Sequence, residues 1–126
     1  SDFKELPNKK ADMITFGLLK KEDINIFSKY LSPEMYMELV DGKLGFVMHN
    51  EATKFKAIKR LVDYYNIRLN EVVSFGDDFN DLEMIKECGL GIAMENALNE
   101  VKEVSDYITS SNDDDGVAKW IDKYLS

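Results

Sequence analysis

From Thr53 onward, strand-like and helix-like runs take turns along the chain, and that alternation limits the fold more than any other feature. Phe55, Ile58, Leu61, Val62 and Tyr65 recur at helical spacing, with Thr53 placed as the N-cap. Val72, Val73 and Phe75 then make a strand over Glu71 to Phe75, ending at Gly76. Asp81 to Cys88 reads as a helix with Leu82, Ile85 and Cys88 on its apolar stripe, and Gly89 as its C′ residue. Leu90 to Met94 reads as a strand, Ala97 to Val104 as a helix, Tyr107 to Thr109 as a strand and Val117 to Leu125 as a last helix. Strands alternating with helices of about ten residues are the pattern of an α/β parallel sheet.

The first 52 residues follow a different, β-α-β-β order. Asp12 to Leu18 reads as a strand and Lys20 to Leu31 as a helix, with Ile24, Phe27 and Leu31 on one stripe. Ser32-Pro33 ends that helix, because proline disfavours helix in the residue before it. Met35 to Val40 and Lys43 to Met48 flank Asp41-Gly42, a dipeptide suited to a tight hairpin turn. We therefore place a boundary at residues 50–54, between an α+β part (1–52) and an α/β part (53–126).

The chain carries 16 basic and 24 acidic groups, a formal charge of −8. The acidity is concentrated late: residues 1–53 sum to −2 and residues 54–126 to −6. This balance argues against nucleic-acid or anionic-membrane partners, whose phosphates recruit Lys and Arg. One Cys excludes an internal disulfide framework and a multi-Cys zinc site. No apolar run approaches the roughly 18 residues a membrane span needs. No signal peptide is visible, and a cytoplasmic globule is expected.

The sharpest local feature is the run Val72-Val73-Ser74-Phe75-Gly76-Asp77-Asp78-Phe79-Asn80-Asp81-Leu82. Ligands of open α/β sheets bind outside the carboxyl ends of strands, where Gly76-Asp77 stands. Asp81 follows four residues on, in the first helical turn. Two carboxylates and an asparagine there suit Mg²⁺, which takes one or two protein carboxylates, waters and a substrate phosphate. Asp is equally at home as a helix cap or loop residue, so the pair alone leaves both readings open.

The longer run is more specific. Gly76-Asp77-Asp78-Phe79-Asn80-Asp81-Leu82-Glu83-Met84 resembles the fourth motif of the haloacid-dehalogenase-like hydrolases, in their Cof-type or IIB form. Gly89 to Ala97, Ser105 to Asn112 and Asp115 to Ala118 resemble the segments that follow it. Upstream, Thr53-Lys54 with Ala57, Ile58, Lys59, Arg60 and Leu61 resembles the third motif, whose Lys is catalytic. The motifs run in the right order from Thr53 to Leu125. Residues 1–52 resemble the second half of the family's mobile cap domain by strand and helix order only.

The resemblance implies that the chain is the C-terminal part of a Rossmann-like parallel-sheet core, preceded by part of an α+β cap. It implies phosphoryl transfer to an Asp nucleophile and hydrolysis of the aspartyl-phosphate, with Mg²⁺ bound and small phosphorylated metabolites as substrates. Asp77 would be a direct Mg²⁺ ligand. Asp81 would be an outer metal ligand or an acceptor behind it. Asn80 would orient the phosphate or its neighbours, and Lys54 would offset charge on nucleophile and phosphate. Such chemistry is mostly positioning and charge neutralisation. The family often has Gly directly after this Lys; here it is Phe55, which puts loop shape and phosphate access in question.

Two expected pieces are missing from the 126 residues: an apolar strand ending in Asp-x-Asp, with nucleophile and general acid/base, and a strand ending in a phosphate-holding Ser or Thr. Asp113-Asp114-Asp115-Gly116 is no substitute, because polar residues Thr109 to Asn112 precede it. It reads as an acidic turn capping the last helix. The chain alone is thus expected to be inactive. The alternative is a non-catalytic remnant or Mg²⁺-binding module of the same fold. A receiver-type domain is disfavoured, since Met94 and Thr109 end the later strands where it needs other residues. His49 reads as a packed or solvated hairpin-end residue, Cys88 as a core thiol, and Met35, Met37 and Met48 as filling. Trp120 and Tyr124 share the face of the last helix that packs on the sheet.

Without the nucleophile strand, the strand at Val72 to Phe75 is expected to be an edge with an uncovered apolar face, which invites pairing. Self-association, a complementing N-terminal segment, or excision from a longer protein is therefore expected. Intact mass and sedimentation check this; a monodisperse monomer of 14.5 kDa with no other polypeptide present would contradict it.

Overall fold

Thr53 does what its place in the sequence asks of it. In the computed structural model, which describes residues 12–17, 20–40 and 42–125, its backbone is extended and its hydroxyl accepts the Lys56 N–H at 3.2 Å. Contacts divide the chain at the same place, between Ala52 and Thr53.

Before the division lies an antiparallel sheet of order β1-β3-β2, with β1 at Met13–Gly17, β2 at Met35–Val40 and β3 at Leu44–His49. β2 and β3 form the expected hairpin, in register from Met35↔His49 to Val40↔Leu44. With Val40 paired to Leu44 the loop takes three residues, 41–43, rather than the two expected; Gly42 supplies its positive φ of 65° and the Lys43 N–H donates to the Val40 carbonyl at 3.2 Å. Asp41 and Leu18, parts of the expected turn and strand, lie outside the described residues.

The expected helix from Lys20 to Leu31 is much shorter. A 3₁₀ turn at Lys21–Asp23 leads into α1, Ile24–Ser28. The Asp23 carboxylate accepts the Lys20 N–H at 3.0 Å, tightening the entry, and the Ser28 hydroxyl donates to the Asn25 carbonyl at the exit. α1 has no buried residue. Its apolar stripe therefore gains little from burial, and packing of such a stripe is what normally sustains a helix. Phe27 stacks on Phe16 at 4.3 Å between centroids.

After the division comes α2 (Lys54–Tyr65), then β4 (Val73–Gly76), α3 (Leu82–Glu87), β5 (Leu90–Ala93), α4 (Asn99–Val104), β6 (Tyr107–Ile108) and α5 (Gly116–Tyr124). β4, β5 and β6 pair in parallel in that order, with Val73↔Leu90 and Ile92↔Tyr107 in register. Phe55, Met84, Ile85, Cys88, Ala93, Met94, Ala97 and Val101 form the core of this unit. Asn66, left-handed at φ 54°, ends α2. Among the described residues β4 is paired on one side only. Its face is not bare, however, because Phe75 meets Trp120 edge to face at 5.5 Å.

Gly89 departs from the expected reason for a glycine. Its backbone is not left-handed. A Cβ there would lie 2.1 Å from the Asn70 carbonyl oxygen, and the Gly89 N–H donates to the Leu69 carbonyl at 3.0 Å. Close backbone approach, rather than helix termination, requires glycine. Gly89→Ala is expected to cost about 1–3 kcal/mol through overpacking, read as a lower urea midpoint; an unchanged midpoint would contradict the contact.

Candidate functional site

β4 delivers Gly76 and Asp77 to the carboxyl end of the parallel sheet, and the chain turns there in a 3₁₀ turn over Phe79–Asp81. The Asp78 carboxylate accepts the next N–H, from Phe79, at 2.7 Å, which serves the turn locally. Asp81 is carried back beneath Gly76. A Cβ at 76 would stand 2.5 Å from the Asp81 Cβ, so only glycine leaves room for that side chain.

Asp81 is 1% exposed, and both of its oxygens are used. Oδ2 accepts the N–H groups of Asp77 at 3.0 Å and Asp78 at 3.3 Å. Oδ1 accepts the Lys54 ammonium at 2.5 Å, across 27 residues of chain. A buried carboxylate costs several kcal/mol unless paired and hydrogen-bonded, and this one is both. The same ammonium donates to Asn80 Oδ1 at 3.2 Å. Its side chain remains 51% exposed, so Lys54 is held in place yet open to solvent.

Asp77 is half-buried. Its Oδ2 accepts from Asn112 Nδ2 at 2.9 Å, and Oδ1 has no hydrogen-bond partner among the described residues. Asn112 is anchored in turn, its N–H donating to Asn96 Oδ1 at 2.9 Å. The structure thus brings together all four residues singled out in the sequence, Lys54, Asp77, Asn80 and Asp81, and adds two that sequence reasoning did not select, Asn96 and Asn112.

Phe55 does not intrude on this arrangement. Its ring is 9% exposed and belongs to the core, with the Lys59 ammonium 5.7 Å from its centroid. Cys88 is core as well; burial pushes its thiol pKa up, against a smaller downward pull from the Ser74 hydroxyl. His49 Nδ1 accepts the Glu51 N–H at 3.1 Å. The expected acidic cap of the last helix is not formed by Asp115, which is left-handed at φ 53° and makes no side-chain cap bond to α5. Asp114 instead accepts from the Ser111 hydroxyl at 2.6 Å, within the turn.

Among the described residues no three of His, Cys, Asp and Glu cluster closely enough to hold a metal ion. The donor set at Asp77 fits part of a hard-cation site: one carboxylate with an oxygen to spare, next to a second carboxylate. Mg²⁺ makes up such a set with water and phosphate oxygens. No helix among the described residues is long and apolar enough to cross a membrane.

Residues 1–121 match the family model of haloacid dehalogenase-like hydrolases. The chain belongs to that family. It is 31% identical over 114 residues to the 5-amino-6-(5-phospho-D-ribitylamino)uracil phosphatase YitU of Bacillus subtilis, covering 85% of this chain and 42% of that protein. Its likeness to YwtE of the same organism and the same named activity is 47% over 73 residues, 58% of this chain and 26% of the other. A haloacid dehalogenase-like hydrolase from Bacteroides thetaiotaomicron superposes with TM-score 0.77 at 29% identity, over 89% of this chain and 43% of that one. A subclass IIB sugar phosphatase, BT4131, superposes with TM-score 0.75 at 28% identity, over 94% and 45%. The chain spans less than half the length of each of these relatives. The mixed α/β architecture and the IIB resemblance read from the sequence both stand.

Asp81→Asn keeps the side chain's shape but removes the charge that holds Lys54, and turns one acceptor into a donor. A loss of about 2–3 kcal/mol is expected, measured by urea unfolding. Wild-type stability would show that the Lys54–Asp81 contact does not support the turn.

Proposed function

We propose that residues 53–126 provide the lysine and acidic half of the active site of a Mg²⁺-dependent phosphatase, which acts on small phosphorylated metabolites through an aspartyl-phosphate. One observation carries this reading: Lys54, from the start of α2, converges with Asn80 and Asp81 beside Asp77 at the carboxyl end of β4. The phosphatase names of the relatives support the reaction class, and the ribitylaminouracil and sugar phosphatases support small phosphorylated substrates. Residues 1–52 would be part of the cap that selects the substrate.

The charges suit the task. Asp77, Asp81 and Lys54 sum to −1, which favours a cation at Asp77. Mg²⁺, held there by Asp77 with Asp81 behind it, would supply positive charge to offset that of the phosphate. Lys54 has its ammonium located by Asp81 and Asn80 before any phosphate arrives, so no long side chain has to be ordered on binding. With its Oδ1 turned to Lys54, Asn80 has an amide NH₂ without a partner among the described residues, which would donate to a phosphate oxygen. The nucleophile is not supplied by these 126 residues, which contain no apolar strand ending in Asp-x-Asp.

The purified chain alone is expected to show no Mg²⁺-dependent hydrolysis of p-nitrophenyl phosphate. Joined to a segment carrying such a strand, it is expected to turn over, with activity falling at least about 100-fold in Lys54→Ala and Asp77→Ala. Activity in the isolated chain that disappears in Asp77→Ala would refute the need for a second segment. Full activity of Lys54→Ala in the joined protein would refute the role of Lys54.

A further inference from the structure

Asp77 is gripped from a distant part of the chain. The bond from Asn112 Nδ2 to Asp77 Oδ2 spans 35 residues. Asn112 stands on a turn that is braced from several sides. The Gly116 N–H donates to the Ser111 carbonyl at 3.0 Å, and the Thr109 hydroxyl donates to the Gly116 carbonyl at 2.8 Å. A Cβ at Gly116 would lie 2.0 Å from the Ser110 carbonyl oxygen, so the two backbone strands of the turn are in contact. Asn96, just beyond β5, fixes the Asn112 N–H.

Asn112 is exposed, and water could replace its amide at little cost to the fold. What water could not do is hold the carboxylate in one rotamer. The choice of a neutral amide matters too. A Lys or Arg in this place would cancel the charge a cation needs, whereas the Asn112 amide fixes Oδ2, keeps the charge and leaves Oδ1 available. Hydrogen-bond partners of metal-binding side chains commonly act this way, orienting the ligand rather than touching the metal.

We propose that Asn112, set in place by Asn96, is a positioning residue that presents the Asp77 carboxylate to a divalent cation. This rests on Asp77 being a metal ligand, and the test separates the two claims. The 126-residue chain is titrated with MgCl₂ while the amide ¹H–¹⁵N shifts of Asp77 and Asp78 are followed, and thermal unfolding is recorded without metal. Asn112→Leu, close in shape but lacking donors, is expected to weaken Mg²⁺ binding by roughly 3- to 10-fold and to leave the metal-free melting temperature unchanged. Asn96→Ala is expected to lower affinity in the same direction by a smaller factor, and it keeps the comparison open should Asn112→Leu fold poorly. Wild-type Mg²⁺ affinity in these variants would overturn the role of Asn112 and leave Asp77 as a ligand. No saturable shift in the unmutated chain, or saturable binding that survives Asp77→Asn, would overturn the Asp77 assignment and the role of Asn112 with it.

Discussion

The buried carboxylate of Asp81 is the point on which this end of the molecule depends. At 1% exposure it cannot rely on water, so its negative charge has to be met by protein. Lys54 meets it from one side and the Asp77 and Asp78 amides from the other. The three partners come from two separate places in the chain, the head of α2 and the turn after β4, and satisfying one carboxylate fixes both. The start of α2, the end of β4 and the turn into α3 are thereby joined through a single side chain. Gly76 completes the arrangement by leaving the space that Asp81 occupies.

Adjacent residues divide the work of structure and chemistry. Lys54 and Phe55 are neighbours at the head of α2, and a helix turns about 100° per residue. One therefore reaches the Asp81 carboxylate while the other enters the core among Met84, Ile85 and Val101. The large ring next to the lysine, a departure from the family pattern, is absorbed by packing. The same division holds across β4. Ser74 is buried and bonds the Met84 carbonyl at 3.1 Å, Phe75 meets Trp120, and only the residues past the strand's end carry charge.

What could be read from the sequence follows from how local each signal is. Thr53 capping α2, the β2–β3 hairpin and the alternation from β4 to α5 rest on neighbouring residues, and they were legible. The meeting of Lys54 with Asn80 and Asp81 could be expected from a recognisable motif, although a lysine in a first helical turn says little by itself. The contacts from Asn112 to Asp77 and from Asn96 to Asn112 were not legible. An asparagine in a polar turn looks the same in sequence whether it faces solvent or a carboxylate 35 residues away. α1 was overestimated because its stripe of Ile24 and Phe27 has the right spacing but neither residue is buried, Phe27 gaining only the stack on Phe16. Gly89 and Asp115 were each placed correctly but for the wrong reason. One answers to a backbone contact and the other to a left-handed turn, and neither is visible in residue type.

The order of the parallel strands bears on how the C-terminal unit assembles. Among the described residues β4, β5 and β6 pair as sequence neighbours, so each of these pairings closes a single crossover. Each crossover closes a loop of modest length, although parallel pairing across a helix forms more slowly than a hairpin does. The longest link at the site, from Asp77 to Asn112, joins the first strand of the series to the turn that follows the last. In the folded unit that bond ties the two ends of the three-strand series together. The placement of Asp77 therefore depends on the turn beyond β6 as well as on the end of β4, so a disturbance at the far edge of these three strands reaches it.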